Sequence, residues 1–198
     1  MILNEALMYP SYEIIGGEKI MAPSASSYHN TIMGDLYTDI KIYLRQNNCG
    51  YVFTDNVDVN LPDGSRFKPD LVVITRENFG IIEWRGAIHG VPDMVVEVLS
   101  KSTRKKDLTV KKDSYEKNGV KEYWIVDPYM EIIDVYLLRD GKYYLDGEYA
   151  NYNDDELEML NDEQKAEAKF EITLATFPDL TINIKEIFAW GFGNAFKK

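Results

Sequence analysis

Cysteine is almost missing from this chain: Cys49 is the only one, which excludes an internal disulfide and any zinc site built from thiolates. Basic residues are in deficit. Lys and Arg number 22 against 33 Asp and Glu, a formal net charge of −11, so generic affinity for a phosphate backbone is not written into the composition. No apolar run approaches the length of a membrane span, and the opening MILNEALMYP lacks the basic and long apolar regions of a signal peptide. A cytoplasmic protein without a membrane partner is expected. No repeat or low-complexity linker breaks the 198 residues, so one domain over 1–198 is expected, large enough for a real core. With 45% hydrophobic and 13% aromatic residues, the chain has the makeup of a folded protein.

What is present is unevenly placed. KSTRKKDLTVKKDSYEK gathers Lys101, Arg104, Lys105, Lys106, Lys111, Lys112 and Lys117, while NDDELEMLNDEQKAE, from Asn153 onward, is mostly acidic. Both runs read first as solvated helix faces. YEIIGGEKIMA predicts a hairpin turning at Gly16-Gly17. SASSYHNTIMGDLYTDIKIYLRQN predicts a helix, with serines for capping and a stripe at Ile32, Met33, Leu36, Ile40, Tyr43 and Leu44. Three strands follow, in GYVFTDNVDVNL, FKPDLVVIT and PDMVVEVLS. A helix from Ser102 or Thr103 to Asn118-Gly119 comes next, then a strand in VKEYWIVDP and a hairpin at Asp140-Gly141. The tail FEITL, DLTINI and KEIFAWGF suggests two short strands and a short helix, and 153–167 is the one plausible insertion. The unit strand, helix, strand from PDMVVEVLS to VKEYWIVDP has the length of a parallel crossover. The expected class is α/β with a mixed (α+β) sheet, of order helix-strand-strand-strand-helix-strand with flanking hairpins.

Three residues break local rules. Glu97 interrupts the apolar run VVEVL, which suits a strand covered on both faces. A carboxylate buried there needs a cation, a metal or a proton; otherwise it stands at the strand end and faces water. Asp70 opens the Val/Ile-rich strand after Pro69, either as a site residue or as the close of a turn. Lys111 falls between Leu108 and Tyr115 on the inward face of the second helix, unless its stem runs along the core edge to water. Tyr115 and Trp124 read as core. Two carboxylates and a cation on neighbouring elements are the equipment of a hydrolytic site using a hard divalent cation.

With these residues in place, the chain resembles the PD-(D/E)xK nuclease superfamily, and within it the Uma-two branch of restriction-endonuclease-like proteins. YEIIGGE, the helix with His29, KPDLVVIT, PDMVVEVLS and KKDSYEKNGVKEYWIVDP carry the resemblance, from about Tyr12 to Tyr144 and more weakly to FPDLTINIKEIF. It implies a restriction-endonuclease-like core, with Pro69-Asp70 as the "PD" and Asp70 and Glu97 as metal ligands. The superfamily pattern places lysine two residues after Glu97, where this chain has Leu99. In this branch the lysine comes from the following helix, and Lys111 matches it, with Lys112 the alternative if the helix phase shifts by one. Glu18 and His29 match family positions. Glu18 is either a further acid near the metal or a partner of Lys19 or Lys111, and His29 either a site residue or a structural histidine. Asp107, one turn before Lys111, would orient it by an ion pair.

The resemblance implies a Mg2+-dependent endonuclease acting on DNA, with Mn2+ as substitute. Two rivals stand beside it: a nuclease fold without catalysis that binds nucleic acid or protein, and a metal-free dimer in which the same residues form only an ion-pair network. Trp84, Ile81 and Ile82 crowd one loop. They predict a homodimer, unless they cover the domain's own core edge.

Overall fold

The computed structural model describes residues 12–15, 17–21, 26–54, 57–100 and 104–189. β1 (Tyr12–Ile15) and β2 (Glu18–Met21) form the first hairpin, with Gly17 at φ 84° in its turn. α1 (Ser27–Asn47) begins where the Ser26 side chain accepts from the His29 N–H, and it ends at Asn48 in the left-handed region. Then follow β3 (Gly50–Thr54), β4 (Val59–Asn60), β5 (Arg66–Phe67), β6 (Leu71–Thr75), a 3-10 turn (Arg76–Ile81), β7 (Ile88–His89) and β8 (Met94–Val98).

The second helix, α2, is continuous but not uniform. Arg104–Lys106 is α-helical, Asp107–Lys111 is a π turn, and Lys112–Asn118 returns to α geometry before Gly119 ends it at φ 93°. The expected start at Ser102 or Thr103 lies outside the described residues. β9 (Glu122–Asp127), β10 (Ile132–Arg139) and β11 (Lys142–Ala150) follow. The β10–β11 turn at Asp140 and Gly141 has both φ angles positive, at 51° and 75°, as a two-residue turn of the I′ type requires. The acidic segment folds as α3 (Asp154–Met159) and α4 (Asp162–Glu167), each opened by an asparagine capping box. β12 (Glu171–Thr173), β13 (Thr181–Asn183) and α5 (Ile184–Phe188) complete the order.

The main sheet runs β11-β10-β9-β8-β6-β3, parallel only between β8 and β9, where α2 makes the crossover. α1 buries Ile32, Leu36, Ile40 and Leu44 on one face, against Leu71, Val73, Val96 and Trp124. Each of those four side chains contributes on the order of 1.5–3 kcal/mol of transfer free energy. The opposite face carries Val72, Ile74, Val95, Tyr123 and Ile125, with Leu99 at the end of β8 and Tyr115 of α2 packed in the same cluster. Burial on both faces is why β8 and β9 read as unbroken apolar runs.

The strand order is more finely divided than the sequence suggests. GYVFTDNVDVNL supplies two strands in two sheets: β3 joins the main sheet, and β4 joins a second one of order β2-β1-β5-β4-β7. FKPDLVVIT divides in the same way into β5 and β6. Pro69 lies between them, and its missing N–H cannot continue a ladder. Among the described residues, no helix is long and apolar enough to cross a membrane.

Candidate metal and lysine centre

The register of the main sheet brings the two key carboxylates together. Leu71 pairs with Val96 in the antiparallel β6–β8 ladder, and one further step places Asp70 across from Glu97. The Val98 N–H donates to Asp70 Oδ2 at 2.7 Å, fixing one carboxylate oxygen to the backbone of the strand that carries Glu97. The other oxygen, Oδ1, lies 3.0 Å from His29 Nε2. With Asp70 a carboxylate, that nitrogen carries the hydrogen and donates it. The first turn of α1 thereby reaches over the end of β6.

Glu97 is 2% exposed, and its carboxylate meets two donors from α2. Lys111 Nζ donates to Oε2 at 2.9 Å, and the Tyr115 hydroxyl to Oε1 at 2.9 Å. Lys111 is itself 3% exposed and stands 3.2 Å from Asp107 Oδ1, with Asp107 1% exposed. The Asp107 carbonyl accepts from the Tyr123 hydroxyl at 3.1 Å. Burial, and after it the negative charge of Glu97 and Asp107, pushes the Tyr123 phenol well above its ordinary value. Tyr123 therefore stays a neutral donor on this floor. Lys111 and Asp107 are four residues apart and both fall in the π turn of α2. Such turns recur at functional sites, where they re-aim side chains within a helix.

The structure thus shows two contact groups on neighbouring strands: Asp70 with His29 and the Val98 N–H, and Glu97 with Lys111, Tyr115 and, through Lys111, Asp107. Glu18 is exposed at the start of β2, and no contact among the described residues ties it to this group. Lys112 points elsewhere: its Nζ lies 3.5 Å from the Tyr136 ring centroid. Tyr115 is a member of the core, as its position suggests, but its hydroxyl is also the second donor to Glu97. Its place one turn after Lys111, on the same face, was the signal for that role. Ile81 and Ile82 pack against the core edge, whereas Trp84 is 84% exposed.

Of the other buried carboxylates, Asp93 and Glu122 are committed to scaffolding. Asp93 accepts from the Thr75 N–H and hydroxyl, Asn78 and Lys121. Glu122, 0% exposed, accepts from Trp124 Nε1, the Ala175 and Thr176 N–H groups and the Thr176 hydroxyl.

The donor set at Asp70 and Glu97 suits a hard divalent cation. Among the described residues, no group of three or more His, Cys, Asp or Glu could hold a metal ion.

Comparison with known proteins bears on the same fold. A family model named Uma2, described as "Putative restriction endonuclease", matches residues 6–175. A solved structure described as a putative nuclease belonging to DUF820, from Anabaena variabilis ATCC 29413, superposes with a TM-score of 0.69 at 19% identity, covering 91% of each chain. At that identity the likeness shows the fold alone. The type IIG restriction endonuclease BpuSI gives a TM-score of 0.37 at 13% identity, covering 65% of this chain and 14% of that one, too slight an overlap to carry an argument. No curated protein matches.

Proposed function

The chain belongs to the Uma2 family of restriction-endonuclease-like proteins, and from that premise we propose that it acts on nucleic acid as a nuclease-fold module. The proposal has two forms. The form that needs nothing beyond the described pairing is non-catalytic: the module binds nucleic acid or protein, and Glu97, Lys111, Asp107 and Tyr115 lock α2 onto the sheet. The near-complete burial of Glu97 and the donors that reach it from α2 support this form most directly.

The further form is metal-dependent hydrolysis of DNA phosphodiester bonds. One observation carries it: Lys111 Nζ lies on Glu97 at 2.9 Å, although the position two residues after Glu97 is Leu99. A lysine from α2 thus stands beside the carboxylate where the superfamily pattern draws one from the strand. In this form Asp70 and Glu97 hold Mg2+, or Mn2+ in its place. When bound, the cation supplies Lewis acidity at the scissile phosphate and acidifies a water molecule. His29 and the Val98 N–H fix the orientation of Asp70. Asp107, 3.2 Å from Lys111 Nζ, helps aim the ammonium at Glu97, and Lys111 offsets the negative charge that develops on the phosphoryl oxygens.

Supercoiled plasmid incubated with Mg2+ or Mn2+, with wild type and Glu97→Gln in parallel, separates the forms. Nicking by wild type that Glu97→Gln abolishes supports hydrolysis. DNA binding without nicking supports the non-catalytic form. Neither binding nor nicking overturns action on DNA in both forms.

A further inference from the structure

A groove of about 750 Å3 lies between the C-terminal half of α1, strand β3 and the loop around Trp84. Its floor is aromatic. Tyr51, 47% exposed on β3, has its ring centroid 4.9 Å from that of Phe79 and 6.1 Å from that of Phe53. Trp84 stands on the rim, 84% exposed. The wall is cationic: Lys41 and Arg45 are one turn apart on α1 and both exposed. Among the described residues lining the groove there is no carboxylate, although the chain carries 33 of them against 22 Lys and Arg. Flat rings beside isolated positive charges are how proteins hold unpaired bases and their phosphates.

The groove and the acidic centre are built on the same sheet. β3 is the last strand of the main sheet, paired to β6 with Tyr51 opposite Ile74 and Phe53 opposite Val72. The aromatic row on β3 is therefore in line with the β6 positions that lead to Asp70. Four residues separate Ile74 from Asp70, roughly 14 Å of strand.

We propose that this groove binds an unpaired DNA strand, its bases stacked on Trp84 and Tyr51 and its phosphates on Lys41 and Arg45. The inference deepens the proposed action on DNA by naming single-stranded segments as what is engaged, and it holds for either form of that proposal. A second copy of the chain is the poorer occupant, because two such grooves face to face would oppose Lys41 and Arg45 to their own counterparts.

The test is fluorescence anisotropy of a labelled twenty-nucleotide oligothymidine with the full chain in EDTA, so that cleavage plays no part. Wild type is expected to bind it more tightly than a duplex of equal length. Trp84→Ala should weaken binding about 5- to 150-fold, the equivalent of ~1–3 kcal/mol of base stacking. Lys41→Gln with Arg45→Gln should lower the slope of log K against log salt by about 1.4, at ~0.7 per phosphate contact on single strands. All three residues are exposed, so the fold should persist, checked by circular dichroism. Binding unaltered by these changes, or no binding by wild type, overturns the inference. So does light scattering that finds a dimer which Trp84→Ala dissociates. Metal-dependent nicking can still hold if the groove fails, and groove binding can still hold if nicking fails.

Discussion

Lys111 reaches Glu97 from fourteen residues away, Nζ to Oε2 at 2.9 Å, with both side chains shut off from water. The same ammonium stands 3.2 Å from Asp107, so one cation serves two buried carboxylates. This ratio sets the order of the variants. Lys111→Met leaves two buried carboxylates with their shared cation gone, and breaking a buried pair in that way costs about 3–5 kcal/mol. Glu97→Gln keeps the volume and leaves Lys111 matched to Asp107. Its amide oxygen can face Lys111 while the Tyr115 oxygen accepts from its N–H. Urea denaturation without metal should rank Glu97→Gln well above Lys111→Met in midpoint. Equal losses would contradict the charge count.

Lys112 offers the internal control for the hydrolytic form. It sits over the Tyr136 ring and near the carboxylates of Asp134, Glu116 and Asp113, so Lys112→Met should lose a cation–π contact of about 0.5–1 kcal/mol together with those half-exposed charge contacts, and leave Glu97 untouched. Nicking per folded molecule should be unchanged in Lys112→Met and fall by about 10²–10³ in Lys111→Met, the scale set by loss of one charge-stabilising donor. The reverse pattern would move the active lysine to Lys112.

Tyr115→Phe removes one of the two described donors to Glu97 and nothing else of the ring's packing on Phe67 and Tyr123. A hydrogen bond to a charged group contributes about 1.5–3 kcal/mol, and thermal or urea unfolding should show a loss of that size. A loss under 0.5 kcal/mol would mean that the hydroxyl does not support Glu97.

The two faces of the main sheet were legible because the apolar runs of LVVIT and MVVEV do not alternate, and Glu97 and Lys111 stood out for breaking such patterns. Gly119 and Asp140-Gly141 were legible as stops and turns because positive φ selects few residues. The division of GYVFTDNVDVNL between two sheets was hidden, since its β-prone pattern runs on while the chain changes partner. The π turn was hidden too: helical periodicity gives the same face to Leu108, Lys111 and Tyr115 whether or not one turn is widened. Asp93 and Glu122 were missed because their donors, Thr75 and Thr176 among them, come from segments distant in sequence.

Asp93 predicts a dependence on acidity. Burial alone would raise its carboxyl, but the Thr75 N–H, Lys121 and Asn78 outweigh that and hold it below the usual value of 3.8. A lowered folded pKa means stability that is fully present above the unfolded value, about 3.9, and is lost as pH falls through the folded one. Asp93→Asn should therefore destabilise the protein at pH 7, and the gap to wild type should narrow below pH 4. A gap that stays constant from pH 7 to pH 3 would show that the charge of Asp93 contributes nothing.

Calorimetric titration with Mn2+ tests most directly the proposal on which the hydrolytic form depends, that Asp70 and Glu97 hold one cation. Wild type should bind one ion, and Asp70→Ala and Glu97→Gln should each weaken it by more than about tenfold, the lower bound for losing even an outer partner of a metal ligand. Binding that is undiminished in both variants would contradict the account.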